Sequence, residues 1–167
     1  MIAHLVCGLS LVVFYILQTT IFSQVRLISG SADLVLLFLA AWSLQEQIRN
    51  TLLWTLVAGI VISLLSAMPF FAPLLGYLGV FGISKFLQRR VWRSPLLAML
   101  IVVLLGTFFQ QIVSVIVLQV SGAPVSWGQS LDSVILPSAL MNLIFALPIF
   151  AIANDLAGRV SPQEAEI

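Results

Sequence analysis

"ADLVLLFLAAWSL", residues 32–44, is the stretch on which the number of membrane-spanning helices depends. Its one charged residue is Asp33, near the start. A hydrocarbon core of ~30 Å needs about 20 helical residues, whereas a helix over this stretch reaches only about 20 Å at ~1.5 Å per residue. The stretch is short for a span, so whether it crosses the membrane must be judged from the flanking sequence.

The whole chain has the composition of an integral membrane protein. Of its 167 residues, 61% are hydrophobic and 8% are charged, whereas soluble domains contain about 25% charged residues. We predict an all-α fold, a six-transmembrane-helix bundle that forms a single membrane domain over residues 1–160, followed by a frayed cytoplasmic tail, 161–167. The predicted spans cover residues 5–22, 32–44, 51–67, 74–87, 95–120 and 134–157.

The positions of the basic residues predict the orientation. With six spans, the connectors alternate between the two sides of the membrane. One side then receives Arg49, Lys85, Arg89, Arg90, Arg93 and Arg159, and the other receives only Arg26. Because Lys and Arg near span ends are retained in the cytoplasm, both termini should be cytoplasmic. Without a span at 32–44, Arg49 would lie on the wrong side of its neighbours, so the charges favour six spans.

The basic cluster, Lys85, Arg89, Arg90 and Arg93, has two interpretations. It is fully explained as a determinant of topology. It is alternatively a cytoplasmic contact surface for anionic lipid headgroups, with ~1 kcal/mol from each Lys or Arg near the surface, or for an acidic face of a partner.

Small and polar residues recur at four-residue intervals in three spans. Helices in lipid associate through close approach at small residues and through interhelical hydrogen bonds, so these faces should point inward. They comprise Thr55, Gly59, Ser63 and Ala67; Gly106, Gln110 and Ser114; and Ser138, Asn142 and Ala146. Either the faces only hold the bundle together, or Gln110, Gln111 and Asn142 line a ligand cavity or a partner groove.

Titratable residues are too few to indicate a catalytic constellation. Asp33 and Asp132 lie near the outer starts of predicted spans, where a helix N-terminus stabilises negative charge by about 0.3–1 kcal/mol. Arg26, on the same outer side, is a candidate partner for either. The alternative is that these three residues form the site of a small membrane enzyme acting on a lipid-linked sugar or a phospholipid.

The remaining chemistry-bearing residues are isolated. His4 is the only histidine and Cys7 the only cysteine, which is too few for a metal cage or a Ser-His-Asp relay. No glycine-rich nucleotide loop is present, and a net charge of +1 does not suggest nucleic acid. We therefore expect no enzymatic activity, no cofactor, no metal and no nucleic-acid partner.

Three stretches carry a resemblance to the MreD family, the small membrane subunit of the bacterial rod-shape system. "ADLVLL", 32–37, is similar to the family's P-D-L-L-L opening of the second span. "GIVISLLSAMP", 59–69, resembles its G-x3-D-L-L-S-G-x-P hairpin, and "LLGYLGVFGISKFLQRR", 74–90, resembles its aromatic-rich span that ends in a basic run. Two positions depart from the pattern: Ser63 replaces the usual acidic residue, and Ala32 stands where proline is common.

The resemblance implies a non-enzymatic scaffold or regulatory subunit of the cell-elongation, peptidoglycan-synthesis complex in the bacterial cytoplasmic membrane. Such a subunit binds MreC and helps to couple MreB filaments to RodA and its penicillin-binding transpeptidase. The family also resembles, in fold, the substrate-binding S components of energy-coupling-factor vitamin transporters. An S component is therefore the alternative, with Gln119, Trp127 and Asn142 in the outer half as its polar residues. The sequence leaves the oligomeric state open, and a homo-oligomer is compatible with it.

Overall fold

The computed structural model describes residues 2–22, 29–45, 51–89 and 94–160. Within these ranges the fold is all-α, as predicted, and contains no β-strand. The helices are α1 (Ile2–Leu17), α2 (Leu34–Leu44), α3 (Thr51–Leu65), α4 (Phe71–Gln88), α5 (Pro95–Val120), α6 (Trp127–Ser130) and α7 (Leu136–Val160). One π-helical turn, Gln18–Phe22, extends α1, and another, Leu131–Ile135, joins α6 to α7.

In the part of the chain that the structure describes, four helical stretches are long and apolar enough to cross a membrane: His4–Ile21, Phe71–Gln88, Pro95–Val120 and Trp127–Val160. Helices α2 and α3 are apolar but shorter. The last stretch begins at Trp127, seven residues before the predicted start at Val134, because the end of the connector between the fifth and sixth predicted spans is helical. These helices are compatible with a multi-pass membrane protein.

Helix α2 is the centre of the fold. Every residue from Leu34 to Ser43 is buried, and α1, α3, α4, α5 and α7 all pack against it. A helix that is apolar on all sides is expected to be buried, and this agrees with the central position of α2. The surrounding helices keep many large apolar side chains exposed, such as Leu9, Leu64 and Ile144, and these suit contact with lipid.

Helices α4 and α5 run in opposite directions, because Gly76 and Gly79 of α4 lie against Gln110 and Phe109 of α5, in the reverse order. Gly59 of α3 packs against Leu74 of α4. The bundle thus has two ends, named here for the first and last parts of α2. The Asp33 end contains the C-terminal parts of α1 and α5, and the Leu44 end contains the C-terminal part of α4.

Candidate functional site

An extended segment, residues 29–33, leads into α2 along the first part of α7. Alternate residues of extended backbone point the same way, and three alternate amides of this segment donate to α7 and its preceding turn. Ser29 N–H donates to the Ser133 carbonyl at 3.1 Å, Ser31 N–H to Ser138 Oγ at 3.3 Å, and Asp33 N–H to Asn142 Oδ1 at 2.8 Å. A non-helical backbone is tolerated in a membrane protein when neighbours satisfy its polar groups in this way.

Gly30 permits this close approach. A Cβ atom at Gly30 would lie 2.6 Å from the backbone nitrogen of Ser138 and 2.7 Å from Cβ of Pro137. Only a residue without a side chain fits between the segment and α7.

The Asp33 carboxylate caps α2 and binds two other helices. Its Oδ1 accepts the Leu36 N–H at 2.9 Å, which is the predicted stabilisation of a helix start. The Tyr77 hydroxyl of α4 lies 3.0 Å from Oδ2 and 3.2 Å from Oδ1, and the Gln110 amide of α5 donates to Oδ2 at 2.9 Å. Both carboxylate oxygens are therefore used by donors of the chain itself.

Further hydrogen bonds extend this arrangement to α1 and α7. Asn142, which accepts from Asp33 N–H, donates through Nδ2 to Thr107 Oγ1 at 2.9 Å, and Gln18 Oε1 accepts the Val35 N–H at 3.1 Å. We call this set the Asp33 hub: Gln18, Asp33, Tyr77, Thr107, Gln110 and Asn142. Interhelical hydrogen bonds in membrane proteins contribute on average about 0.6 kcal/mol each, so the hub joins five helices through several modest contributions.

The approach of α4 to α5 brings Gln110 within reach of Asp33. A Cβ atom at Gly76 would lie 2.7 Å from Cγ of Gln110. The absence of a side chain at Gly76 thus leaves room for the Gln110 side chain beside Tyr77.

Gln110 and Asn142 are thus brought together in the hub, whereas other predicted packing residues lie elsewhere. Gly59 contacts Leu74. Ser63 is buried, and its hydroxyl has no hydrogen-bond partner among the described residues. Ser114 donates to the Gln110 carbonyl of its own helix at 2.9 Å.

The predicted basic cluster is described in part. Lys85 is half-buried, and its Nζ donates to Gln88 Oε1 at 2.9 Å. Gln88 in turn donates to the Leu44 carbonyl at 3.1 Å, which satisfies the C-terminal end of α2. Arg89 is exposed at the end of α4, and Arg90 and Arg93 lie outside the described residues.

The charged residues of the enzyme hypothesis are not seen together. Asp33 is engaged in the hub, Asp132 is exposed on the turn before α7, and Arg26 lies outside the described residues. Near the other end of α7, Asp155 pairs with Arg159 of its own helix at 2.9 Å. Among the residues that the structure describes, no group of three His, Cys, Asp or Glu side chains could hold a metal ion.

Sequence reasoning missed three members of the hub: Gln18, Tyr77 and Thr107. Each is a polar side chain in a mostly apolar stretch, and Tyr77 lies between two glycines that allow neighbours to approach, Gly76 and Gly79. A polar residue beside glycines in a span is a signal that could have indicated Tyr77.

Comparison of the chain with protein-family models, with curated proteins and with solved structures found no match. The function is therefore argued from the residues and their geometry.

Proposed function

We propose that this protein is a non-enzymatic scaffold subunit of the bacterial cell-elongation complex. It lies in the cytoplasmic membrane with six spans and both termini in the cytoplasm. It binds an MreC-like membrane protein and, through that partner, helps to connect MreB filaments with RodA and its penicillin-binding transpeptidase.

The observation that carries the proposal is the place of the 32–37 stretch. This stretch bears part of the resemblance to the MreD family, and it forms the entry and first turn of the central helix α2. Its one carboxylate, that of Asp33, accepts hydrogen bonds from Leu36, Tyr77 and Gln110. A carboxylate used in this way is suited to fixing the arrangement of helices, as a scaffold requires.

Distances along the bundle support a crossing by the short second span. The entry segment follows the π-helical turn and the first part of α7, from Ser133 to Asn142, which corresponds to about 13 Å at ~1.5 Å per residue. Helix α2, from Leu34 to Leu44, adds about 16 Å on the same scale. Together they approach the ~30 Å thickness of the hydrocarbon core.

The proposal is tested by capture from native membranes. An affinity-tagged chain should recover an MreC-like protein, and depletion of the chain should convert rod-shaped cells to rounded ones. Recovery of no such partner, together with an unchanged cell shape after depletion, would show that the proposal is wrong.

The contact surface within the proposal is tested by charge reversal. Arg89 and Arg159 are both exposed basic residues near the ends of helices, so Arg159→Glu is a matched control for Arg89→Glu. If the basic cluster binds an acidic partner face, Arg89→Glu should reduce recovery of cytoplasmic components more than Arg159→Glu does. Equal recovery with the two variants would restrict the cluster to its role in topology.

The vitamin-transporter alternative has less support from the geometry. Of its three polar residues, Asn142 is engaged with Asp33 and Thr107, and the Gln119 amide donates to the Val125 carbonyl at 2.9 Å. Saturable binding of a vitamin that raises the thermal stability of the purified protein would nevertheless favour this alternative over the scaffold.

A further inference from the structure

Helices α1 and α3 leave an apolar groove between them. It has a volume of about 150 Å³, runs along α1 from Gly8 to Tyr15 and along α3 from Trp54 to Ile62, and reaches Val35 of α2. Aliphatic side chains and a glycine line it, apart from the rings of Tyr15 and Trp54. The groove thus lies beside the central helix and has an almost wholly apolar lining.

The groove opens sideways, at a depth where the bilayer offers acyl tails. Val12 and Val61 at its rim are 56% and 45% exposed, and they belong to the apolar outer surface of the bundle. Residues Gly8 to Tyr15 occupy the middle of the candidate span His4–Ile21. The hydrocarbon core surrounds the middle of a span, so headgroups and water are not the molecules that meet this opening.

One end of the groove is closed by a fixed aromatic ring. A Cβ atom at Gly8 would lie 2.7 Å from the Trp54 ring, so this ring rests directly on the α1 backbone. The Trp54 Nε1–H also donates to His4 Nδ1 at 3.2 Å. These contacts hold the shape of the groove at the end nearer to the start of α1.

The dimensions suit one slender chain. The groove follows eight residues of α1, Gly8 to Tyr15, so it is about 10 Å long at a rise of ~1.5 Å per residue, which is less than half of the ~30 Å hydrocarbon thickness. A transmembrane helix is about 10–12 Å wide with its side chains, so its body does not enter a groove whose volume, about 150 Å³, matches that of a cavity that binds benzene.

We propose that the groove between α1 and α3 is a binding site for one acyl tail of a membrane phospholipid. The tail lies in the groove that Ala58 and Val35 help to line. This proposal requires only that the chain is embedded in a membrane, and it does not depend on the scaffold function.

Lipid retention tests the proposal. The protein is extracted with its native lipids, and bound phospholipid is counted by native mass spectrometry. Val61→Phe places a ring at the groove, whereas Leu64→Phe, on an exposed position of the same helix outside the groove, is the matched control. The original protein and Leu64→Phe should each retain one phospholipid, and Val61→Phe should lose it. Equal retention by the two variants, or no retained phospholipid in the original protein, would overturn the proposal.

Quenching of tryptophan fluorescence locates the tail. The protein is reconstituted with phospholipid brominated in mid-chain, and the Trp54 signal is taken as the difference from Trp54→Phe. Bromine should quench the Trp54 signal strongly in the original protein and in Leu64→Phe. The quenching should be weaker in Val61→Phe. Equal quenching in all three, or a photo-crosslinker at Val61 that captures polypeptide instead of lipid, would contradict an acyl-tail site.

Discussion

Asp33 shows how a single charged residue is accommodated near the start of a buried helix. An ionised group away from water is costly unless hydrogen bonds or opposite charges compensate it. Here the compensation comes from one backbone amide and from the side chains of Tyr77 and Gln110. Because these donors belong to α2, α4 and α5, the compensation of the charge also fixes the relative positions of three helices.

Asp33→Asn is expected to lower the free energy of unfolding by about 1–3 kcal/mol, because the asparagine NH2 group places donors against the donors Tyr77 and Gln110. Thermal or denaturant unfolding in detergent micelles measures the change. Asp132→Asn is the control, since Asp132 is exposed, and its effect should stay within about 0.5 kcal/mol. Equal losses from the two substitutions would show that the Asp33 hub does not stabilise the fold.

Tyr77→Phe should have a smaller effect, because it removes one hydroxyl and leaves the Leu36 and Gln110 donors in place. The expected loss in the free energy of unfolding is about 0.6 kcal/mol, the average for an interhelical hydrogen bond in a membrane protein. Tyr15→Phe, at a half-buried tyrosine outside the hub, is the control in the same unfolding assay. A loss from Tyr77→Phe larger than that from Asp33→Asn would contradict the assigned role of the carboxylate.

At the scale of elements, the sequence predicted which segments are helical better than it predicted how they meet. The length and composition of the apolar runs locate the helical segments. The role of Asp33 at a helix start follows from its position before α2. The extended segment at 29–33 and the central place of α2 were not predictable in this way. Both depend on acceptors that α7 supplies and on which helices surround α2, and these are properties of the assembled bundle.

The α4–α5 contact gives a test of close packing between elements. A Cβ atom at Gly79 would overlap the Phe109 ring, whereas one at Gly82 would meet nothing within 4 Å. Gly79→Ala must therefore displace the Phe109 ring or separate the helices, and we expect a loss of about 1–3 kcal/mol in the free energy of unfolding. Gly82→Ala should be neutral or stabilising by up to about 1 kcal/mol, because alanine favours helix.

A second substitution distinguishes a steric effect from a change in helix propensity. Adding Phe109→Leu to Gly79→Ala removes the ring that the new methyl group meets, so the pair should recover part of the lost stability. Independent, additive losses would indicate that the two positions are not in contact.

At the scale of the whole molecule, the number of spans is six if α2 and α3 cross the membrane and four if they do not. If both helices cross, the α2–α3 connector lies on the same side of the membrane as the end of α7. If α2 and α3 instead form a hairpin that enters and leaves the membrane on the same side, their connector stays away from the side on which α7 ends. The sidedness of every later helix is the same in both cases, because two crossings are gained or lost together. A reporter at the connector is therefore the decisive one.

Three cysteine reporters resolve this question. Cys7, which is fully buried, is first replaced by alanine. Gln45→Cys, Gln129→Cys and Gly158→Cys are then made singly in this background. Gln45 is half-buried, and the other two positions are exposed. An impermeant thiol reagent added to intact cells should label Gln129→Cys alone, and Gln45→Cys and Gly158→Cys should react only after the membrane is opened, since six spans place both in the cytoplasm. Labelling of Gln45→Cys from outside would show that α2 and α3 do not cross. Labelling of Gly158→Cys from outside would invert the orientation and move the exposed Arg89 away from any cytoplasmic partner.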